Sequence, residues 1–166
     1  MNSIYDKLNE KIFTKNELEN LVIDIEKLIK KLDQKYTEEE LKTIINETIR
    51  QKKFANIFLA SIKVKSGMTP EKMQDLDKKL HDLPNTRKSV SIMTAIPILN
   101  EDMEFFAQMI QEKDSSPILI NYSVDSSLIG GIKVKAQKYI YDLSLKTHLE
   151  KYKVEWLKLI KRHNES

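Results

Sequence analysis

Apolar residues in the first half of the chain recur every three to four positions. Ile4, Tyr5, Leu8, Ile12 and Phe13 have helical spacing and predict a short first helix over residues 3–13. Thr14-x-x-Glu17 is a capping box, in which hydroxyl and carboxylate satisfy each other's free backbone donors. Behind it Leu18, Leu21, Val22, Ile25, Leu28, Ile29 and Leu32 make the most regular apolar stripe in the protein. Thr37-x-x-Glu40 caps a third helix, with Leu41, Ile44, Ile45 and Ile49 on its inner face. After a soft break near Gln51 to Lys53, Phe54, Ile57, Phe58, Ile62 and Val64 continue as helix. Ser66-Gly67 is expected to end it, because Gly readily takes the left-handed conformation that closes a helix. Thr69-Pro70 opens a fifth helix with Met73, Leu76, Leu80 and Leu83 facing inward. Pro84-Asn85 reads as a turn and as the domain boundary, so residues 1–84 are predicted to be an all-helical bundle.

Past that boundary the period falls to two. Val90, Ile92 and Thr94 alternate with Ser91, Met93 and Ala95 as a strand that Pro97 stops. Asn100 is placed to cap a helix carrying Met103, Phe106, Met109 and Ile110, and Asp114-Ser115-Ser116-Pro117 is a loop. Ile118, Ile120, Tyr122 and Val124 then alternate as a half-buried strand. Asp125-Ser126-Ser127 breaks it, since short polar side chains compete for backbone hydrogen bonds. Gly130-Gly131 suggests a positive φ or a close backbone approach. Ile132, Val134 and Ala136 share a face, Gln137-Lys138 turns the chain, and Tyr139 and Tyr141 begin a return strand. A long final helix carries Leu145, Leu149, Tyr152, Trp156 and Ile160. Residues 85–166 are thus a small α+β unit with a β-hairpin, and the fold class is α+β, mostly α.

Composition changes this picture little. Apolar residues at 40% and charged residues at 32% describe a chain with a core and a heavily solvated surface. The net charge of +3 is spread along the chain, whereas nucleic-acid binders concentrate positive charge on one face. Cysteine is absent, which excludes disulfides and thiolate metal sites, and the three histidines, His81, His148 and His163, are far apart. No apolar run approaches the roughly 18–20 residues needed to span a bilayer. The N-terminus lacks a signal-peptide apolar core, which reads as a cytosolic protein.

No enzyme is legible. The phosphate-binding P-loop pattern is absent, and Gly130-Gly131 enters a strand rather than a helix start. Ser144 has His148 one turn beyond it but no third group to orient a base, so Asp142 or Ser144 is read as the cap of the final helix. Glu38-Glu39-Glu40 sits in a helix first turn, where negative charge suits the dipole. Tyr139 and Tyr141 could stack nucleic-acid bases, but ordinary strand aromatics are the plainer account. On the final helix Val154, Leu157 and Leu159 add to the inward set. That width suits either a broad core-facing surface or a partner-helix interface of Tyr152, Val154, Trp156, Leu157, Leu159 and Ile160, with Trp156 as anchor.

Val124 to Val134, VDSSLIGGIKV, followed by Asp142-x-Ser144 and Lys146-x-x-Leu149, resembles the delta subunit of F-type ATP synthases in its C-terminal domain. The mitochondrial counterpart is the oligomycin-sensitivity-conferring protein. Asp125, Leu128, Ile129, Gly130, Gly131, Val134, Asp142, Ser144 and Leu149 carry the resemblance. Upstream, Val90 to Leu99 looks like the family's strand ending in A-x-P-L. Ser126 stands where the family usually has Pro, and Gln137-Lys138 where its hairpin often has Gly-Asp. The helical part is shorter than is usual in the family.

The resemblance implies a non-catalytic stator subunit of a proton-driven rotary ATP synthase. It implies that the helical domain binds N-terminal helices of alpha subunits and that the C-terminal domain engages subunit b of the peripheral stalk. It also implies no cofactor, no metal, no nucleic acid, no homo-oligomer, and membrane contact only through the complex. The expected place is the cytoplasmic face of the bacterial inner membrane, or else the matrix side of a mitochondrion. Two other classes compete, an RNA-binding module and a helical adaptor unconnected with ATP synthesis. The first lacks an RNP-like Gly/aromatic strand and the second leaves the ordered motif as coincidence.

Overall fold

The computed structural model describes residues 3–32, 36–62, 68–114 and 116–164. It divides into two compact units, Met1–Arg87 and Lys88–Ser166. The fold is α+β and mostly helical.

The first unit holds five helices: α1 (Ile4–Lys11), α2 (Lys15–Lys31), α3 (Glu38–Thr48), α4 (Lys52–Ile62) and α5 (Pro70–Thr86). Capping boxes start the first three, with Ser3 and Asp6, Thr14 and Glu17, and Thr37 and Glu40 in reciprocal hydrogen bonds. The α1 helix stops before Ile12 and Phe13, which are buried in the link rather than in the helix. The Glu17 carboxylate decides this, taking the Phe13 N–H at 3.0 Å and the Thr14 N–H at 3.1 Å. The break after α3 is also tertiary: Asp24, itself buried, accepts the Arg50 N–H at 3.0 Å and its Nε at 2.8 Å. Leu8, Leu21, Ile25, Leu28, Ile45, Phe54, Phe58, Met73, Leu80 and Leu83 fill the core. Val64 and Ser66-Gly67 lie outside the described residues.

Pro84-Asn85 is not a turn. The α5 helix runs through Pro84 to Thr86, so the last helical turn contains the proline. Pro there removes only one backbone donor. Burial of Leu83 and a hydrogen bond from the Thr86 hydroxyl to the Leu83 carbonyl (2.9 Å) hold the turn closed.

The second unit is a mixed sheet of β1 (Lys88–Thr94), β2 (Ile118–Val124), β3 (Ile132–Ala136) and β4 (Tyr139–Asp142), with helices α6 (Asn100–Asp114) and α7 (Leu145–Asn164). Strand order is β2-β1-β3-β4. The β1–β2 pair is parallel, with α6 as its crossover, while β1–β3 and β3–β4 are antiparallel. Val90, Ile92, Ile118 and Ile120 are buried, as are Met103 and Ala107 of α6. Asn100 is the first helical residue rather than the residue before the helix, because the Leu99 carbonyl already accepts the Met103 N–H. On α6, Phe106 and Ile110 are half-buried and Met109 is exposed, so the buried stripe is narrower than the sequence suggests. Leu119 is buried beside Ile118 and Ile120, while Val124 is exposed, so β2 does not keep a strict in-out alternation.

Candidate functional site

The family-like segment builds a socket for the start of α7. Asp125 follows β2 and accepts the Ser127 N–H at 2.9 Å, folding Ser126–Leu128 into one 3-10 turn that buries Leu128. The chain then passes Gly130 and Gly131 directly beneath residues 143–145. The Gly130 carbonyl accepts the Leu145 N–H and the Ile132 carbonyl the Leu143 N–H, each at 2.9 Å. A Cβ on Gly131 (φ +82°) would stand 2.3 Å from the Leu143 carbonyl oxygen. On Gly130 it would stand 2.6 Å from the Leu145 Cδ1. The glycine pair therefore lets a loop lie against a helix start, a geometric role rather than a phosphate cradle. Ile129 adopts φ 67° with its side chain exposed, a conformation that costs a β-branched residue about 1–3 kcal/mol. Val134 is half-buried in β3, opposite Ile92 and Tyr141.

Asp142 and Ser144 finish the socket. The buried Ser144 hydroxyl donates to Asp142 Oδ1 at 2.6 Å and accepts the Thr147 N–H at 3.3 Å, making Ser144 the N-cap of α7. Asp142 Oδ1 also accepts the Ser144 N–H at 3.1 Å, and Oδ2 faces Lys133 Nζ at 3.1 Å across the β3–β4 pair. These contacts favour the ionised carboxyl. The Ser144 hydroxyl, then the Ser144 N–H, then the Lys133 ammonium hold its pKa well below the usual carboxylate range. The hydroxyl is thus a cap committed to a carboxylate, not a nucleophile facing a base.

A pH dependence follows from that arrangement. A folded-state pKa below the unfolded value of about 3.9 gives stability that is complete above that value and lost as pH falls through the folded one. Ser144→Ala is expected to cost about 1 kcal/mol at neutral pH through the lost cap. It should also flatten the loss of stability on acidification, because the leading cause of the Asp142 shift, the Ser144 hydroxyl, is removed while the backbone N–H and Lys133 remain. Thr147 amide signals followed by NMR through urea titrations at pH 7 and in acid give both numbers. Parallel acid losses in the two proteins would remove Asp142 from the account.

Beyond the socket, the described side chains of α7 are exposed. Leu145, Leu149, Tyr152, Trp156 and Ile160 are 51%, 54%, 59%, 67% and 51% exposed. The core-facing expectation for this stripe is therefore overturned: nothing described in its own unit covers it. At about 100° per residue those five side chains fall within about 80° of one another. Val154 lies about 180° from Leu145 and Leu157 about 120°, so both sit off that stripe. They are exposed as well. Leu159 continues the heptad register, and its side chain is outside the described residues.

The remaining candidates disperse. Tyr139 and Tyr141 share an exposed face of β4, and Ile140 is exposed on the other. Gln137, in the hairpin turn, has φ 52°, where the family often has glycine. Glu38 and Glu39 both pair with Lys42, and Glu40 holds the Thr37 cap. Among the described residues no cluster of His, Asp and Glu could hold a metal ion, and no helix is long and apolar enough to cross a membrane. Sequence reasoning missed the polar anchors of the bundle. Lys53 bonds Glu17 at 2.6 Å above the rings of Phe13 and Phe54, and Arg87 caps the end of α1. No spacing rule joins residues so far apart in the chain.

A model of the ATP synthase delta (OSCP) subunit matches residues 14–155. The ATP synthase subunit delta of Persephonella marina is 42% identical over 60 residues, 36% of this chain and 33% of that protein. The ATP synthase subunit delta of Clostridium botulinum (strain Eklund 17B / Type B) is 32% identical over 88 residues, 53% of this chain and 49% of that protein. The chain spans half or less of the length of these curated relatives. Among solved structures, a chain of the Toxoplasma gondii mitochondrial ATP synthase hexamer aligns over 86% of this chain and 84% of its own, at 10% identity and a TM-score of 0.35. The family match takes in four of the bundle helices, the whole sheet, the glycine socket and the cap of α7, and on that extent the chain belongs to the ATP synthase delta (OSCP) subunit family.

Proposed function

We propose that this protein is a non-catalytic peripheral-stalk subunit of a rotary F-type ATP synthase. In this reading it ties the alpha/beta hexamer to subunit b, so that the hexamer stays still while proton flow turns the central shaft. The observation that carries the proposal is the family match over residues 14–155, joined to the uncovered apolar stripe of α7. A stator transmits torque through bound surfaces, so it needs apolar faces that are incomplete until a partner arrives. The second unit supplies one in Leu145, Leu149, Tyr152, Trp156 and Ile160, which we assign to subunit b. The bundle is assigned to the N-terminal helices of alpha on family membership. Among its described residues Ile23 is the exposed large apolar side chain. The complex would place the chain peripherally on the cytoplasmic face of a bacterial inner membrane.

The test is affinity capture from gently solubilised host membranes with the tagged full-length chain. Alpha, beta and b subunits are expected in the eluate. A Leu149→Asp, Tyr152→Asp variant should lose b while keeping its fold, because both side chains are solvent-exposed in the free chain. An eluate with no ATP synthase subunit enriched would overturn the stator reading.

A further inference from the structure

We infer that the open edge of β4 pairs antiparallel with the β4 of a second copy of this chain, in a register centred on Ile140. The inference concerns the chain outside any complex. It does not rest on the stator reading, and it departs from the single-copy expectation that the family resemblance carries.

The hairpin register decides which backbone groups face outward. A two-residue turn, Gln137-Lys138, joins Ala136 to Tyr139, and such turns are closed by a hydrogen-bonded pair. Pairs of that kind recur at every second residue of an antiparallel ladder. Tyr139 opposite Ala136 and Tyr141 opposite Val134 therefore point their N–H and C=O groups at β3. The Leu143 N–H, which donates to the Ile132 carbonyl at 2.9 Å, continues the series. Ile140 lies between the two tyrosines and turns both of its groups the other way, to the side where the sheet ends.

Little protects this edge. Protein sheets blunt their edges with Pro, Lys, a bulge or a covering element. The β3–β4 register is unbroken, so there is no bulge, and β4 contains neither Pro nor Lys. Tyr139, Ile140 and Tyr141 are 54%, 59% and 59% exposed, which leaves apolar surface open on both faces of the strand. The charge of Asp142 is already answered by Lys133 at 3.1 Å and by the Ser144 hydroxyl at 2.6 Å. The opposite edge differs, because β2 buries Ile118, Leu119 and Ile120.

The sequence selects the occupant. A two-fold contact must be complementary to itself. With Ile140 opposite Ile140 of the second copy, the two residues exchange both outward hydrogen bonds. Lys138 then stands opposite Asp142 of the second copy, and Tyr139 opposite Tyr141, on either side of the axis. The tyrosines fall at the non-hydrogen-bonded positions, where side chains approach most closely and aromatic pairs are favourable. Sliding the strands by two residues sets Ile140 against Lys138 or Asp142 and loses the match of charge. Backbone, aromatic rings and charge thus agree on one register.

Sedimentation velocity of the full-length chain tests this between about 10 µM and about 1 mM. A dimer is expected to grow in at the upper end, since four strand residues bury less than the ~1,200 Å² of a standard interface. Ile140→Pro removes the central donor but no bond to β3, and Ile140→Lys sets two ammonium groups against each other on the axis. Each should weaken the dimer about ten-fold or more, and Lys138→Glu about three-fold. An unchanged NMR signal of Val134 shows that the hairpin survives each substitution. In a mixture of differently labelled copies, a nuclear Overhauser contact is expected between the α-protons of Tyr139 and Tyr141. A monomer throughout the concentration range would overturn the inference. So would a dimer that withstands both Ile140 variants, or one that Leu149→Asp dissolves and Ile140→Lys spares, which would place the contact on α7.

Discussion

Gly131→Ala is expected to destabilise the second unit by roughly 2–5 kcal/mol, combining left-handed strain with overpacking. At φ +82° an alanine is strained before any neighbour is considered. The new methyl would also meet backbone: the Leu143 carbonyl oxygen at 2.3 Å and the Ser144 Cα at 3.1 Å. Neither can swing aside. Residues 143–145 are fixed by hydrogen bonds to the Ile132 and Gly130 carbonyls, so relief means lifting the start of α7 off its socket. Gly130→Ala is the control. There the nearest atom is the Leu145 Cδ1 at 2.6 Å, the end of a rotatable side chain that is half exposed. It should cost about 1 kcal/mol. Urea unfolding of both variants, read by NMR signals of Val134 and Thr147, gives the ranking. Equal costs would show that the loop and the helix start separate easily, and the glycine pair would then lose its role as a socket.

The fold was legible because most of its elements carry local signals. Two capping boxes, the Thr69-Pro70 start and the change of apolar period after residue 88 mark their elements in the sequence itself, while the Ser3–Asp6 box became visible only in the structure. The errors fall where long-range contacts override those signals. Ile49 leaves its helix because Asp24, on another helix, captures Arg50. Pro84 stays inside α5 because buried Leu83 outweighs one missing donor.

The site was half legible. Its residue types pointed to turns and caps, and the Asp142–Ser144 contact shows why those types stand there. Exposure was not legible. An apolar stripe on a helix has the same periodicity whether it meets its own core or another protein, and only the tertiary arrangement separates the two for α7.

Arg87→Met is expected to cost the bundle about 2–4 kcal/mol, the range for stranding buried polar groups that have lost a charged donor. Arg87 follows α5 in an extended conformation, and its guanidinium reaches back to the end of α1. There it donates to the Ile12 carbonyl at 2.5 Å, to the Asn9 side-chain oxygen at 2.5 Å and to the Asn9 carbonyl. Carbonyls at a helix C-terminus have no partner within the helix and form the negative end of its dipole. A buried cation answers both needs. Burial pulls the Arg87 pKa below its ordinary value, yet arginine stays charged at any pH the protein meets. Methionine would keep much of the stem volume and remove every donor. Arg87→Lys should recover only part of the loss, because an ammonium cannot span acceptors that a planar fork reaches together. Far-ultraviolet circular dichroism through urea denaturation measures both variants. A loss of less than about 0.5 kcal/mol for the methionine variant would mean that water takes over the carbonyls of Asn9 and Ile12. The expected loss would instead make Arg87 a clasp between the first helix and the last, closing the bundle through residues 78 positions apart.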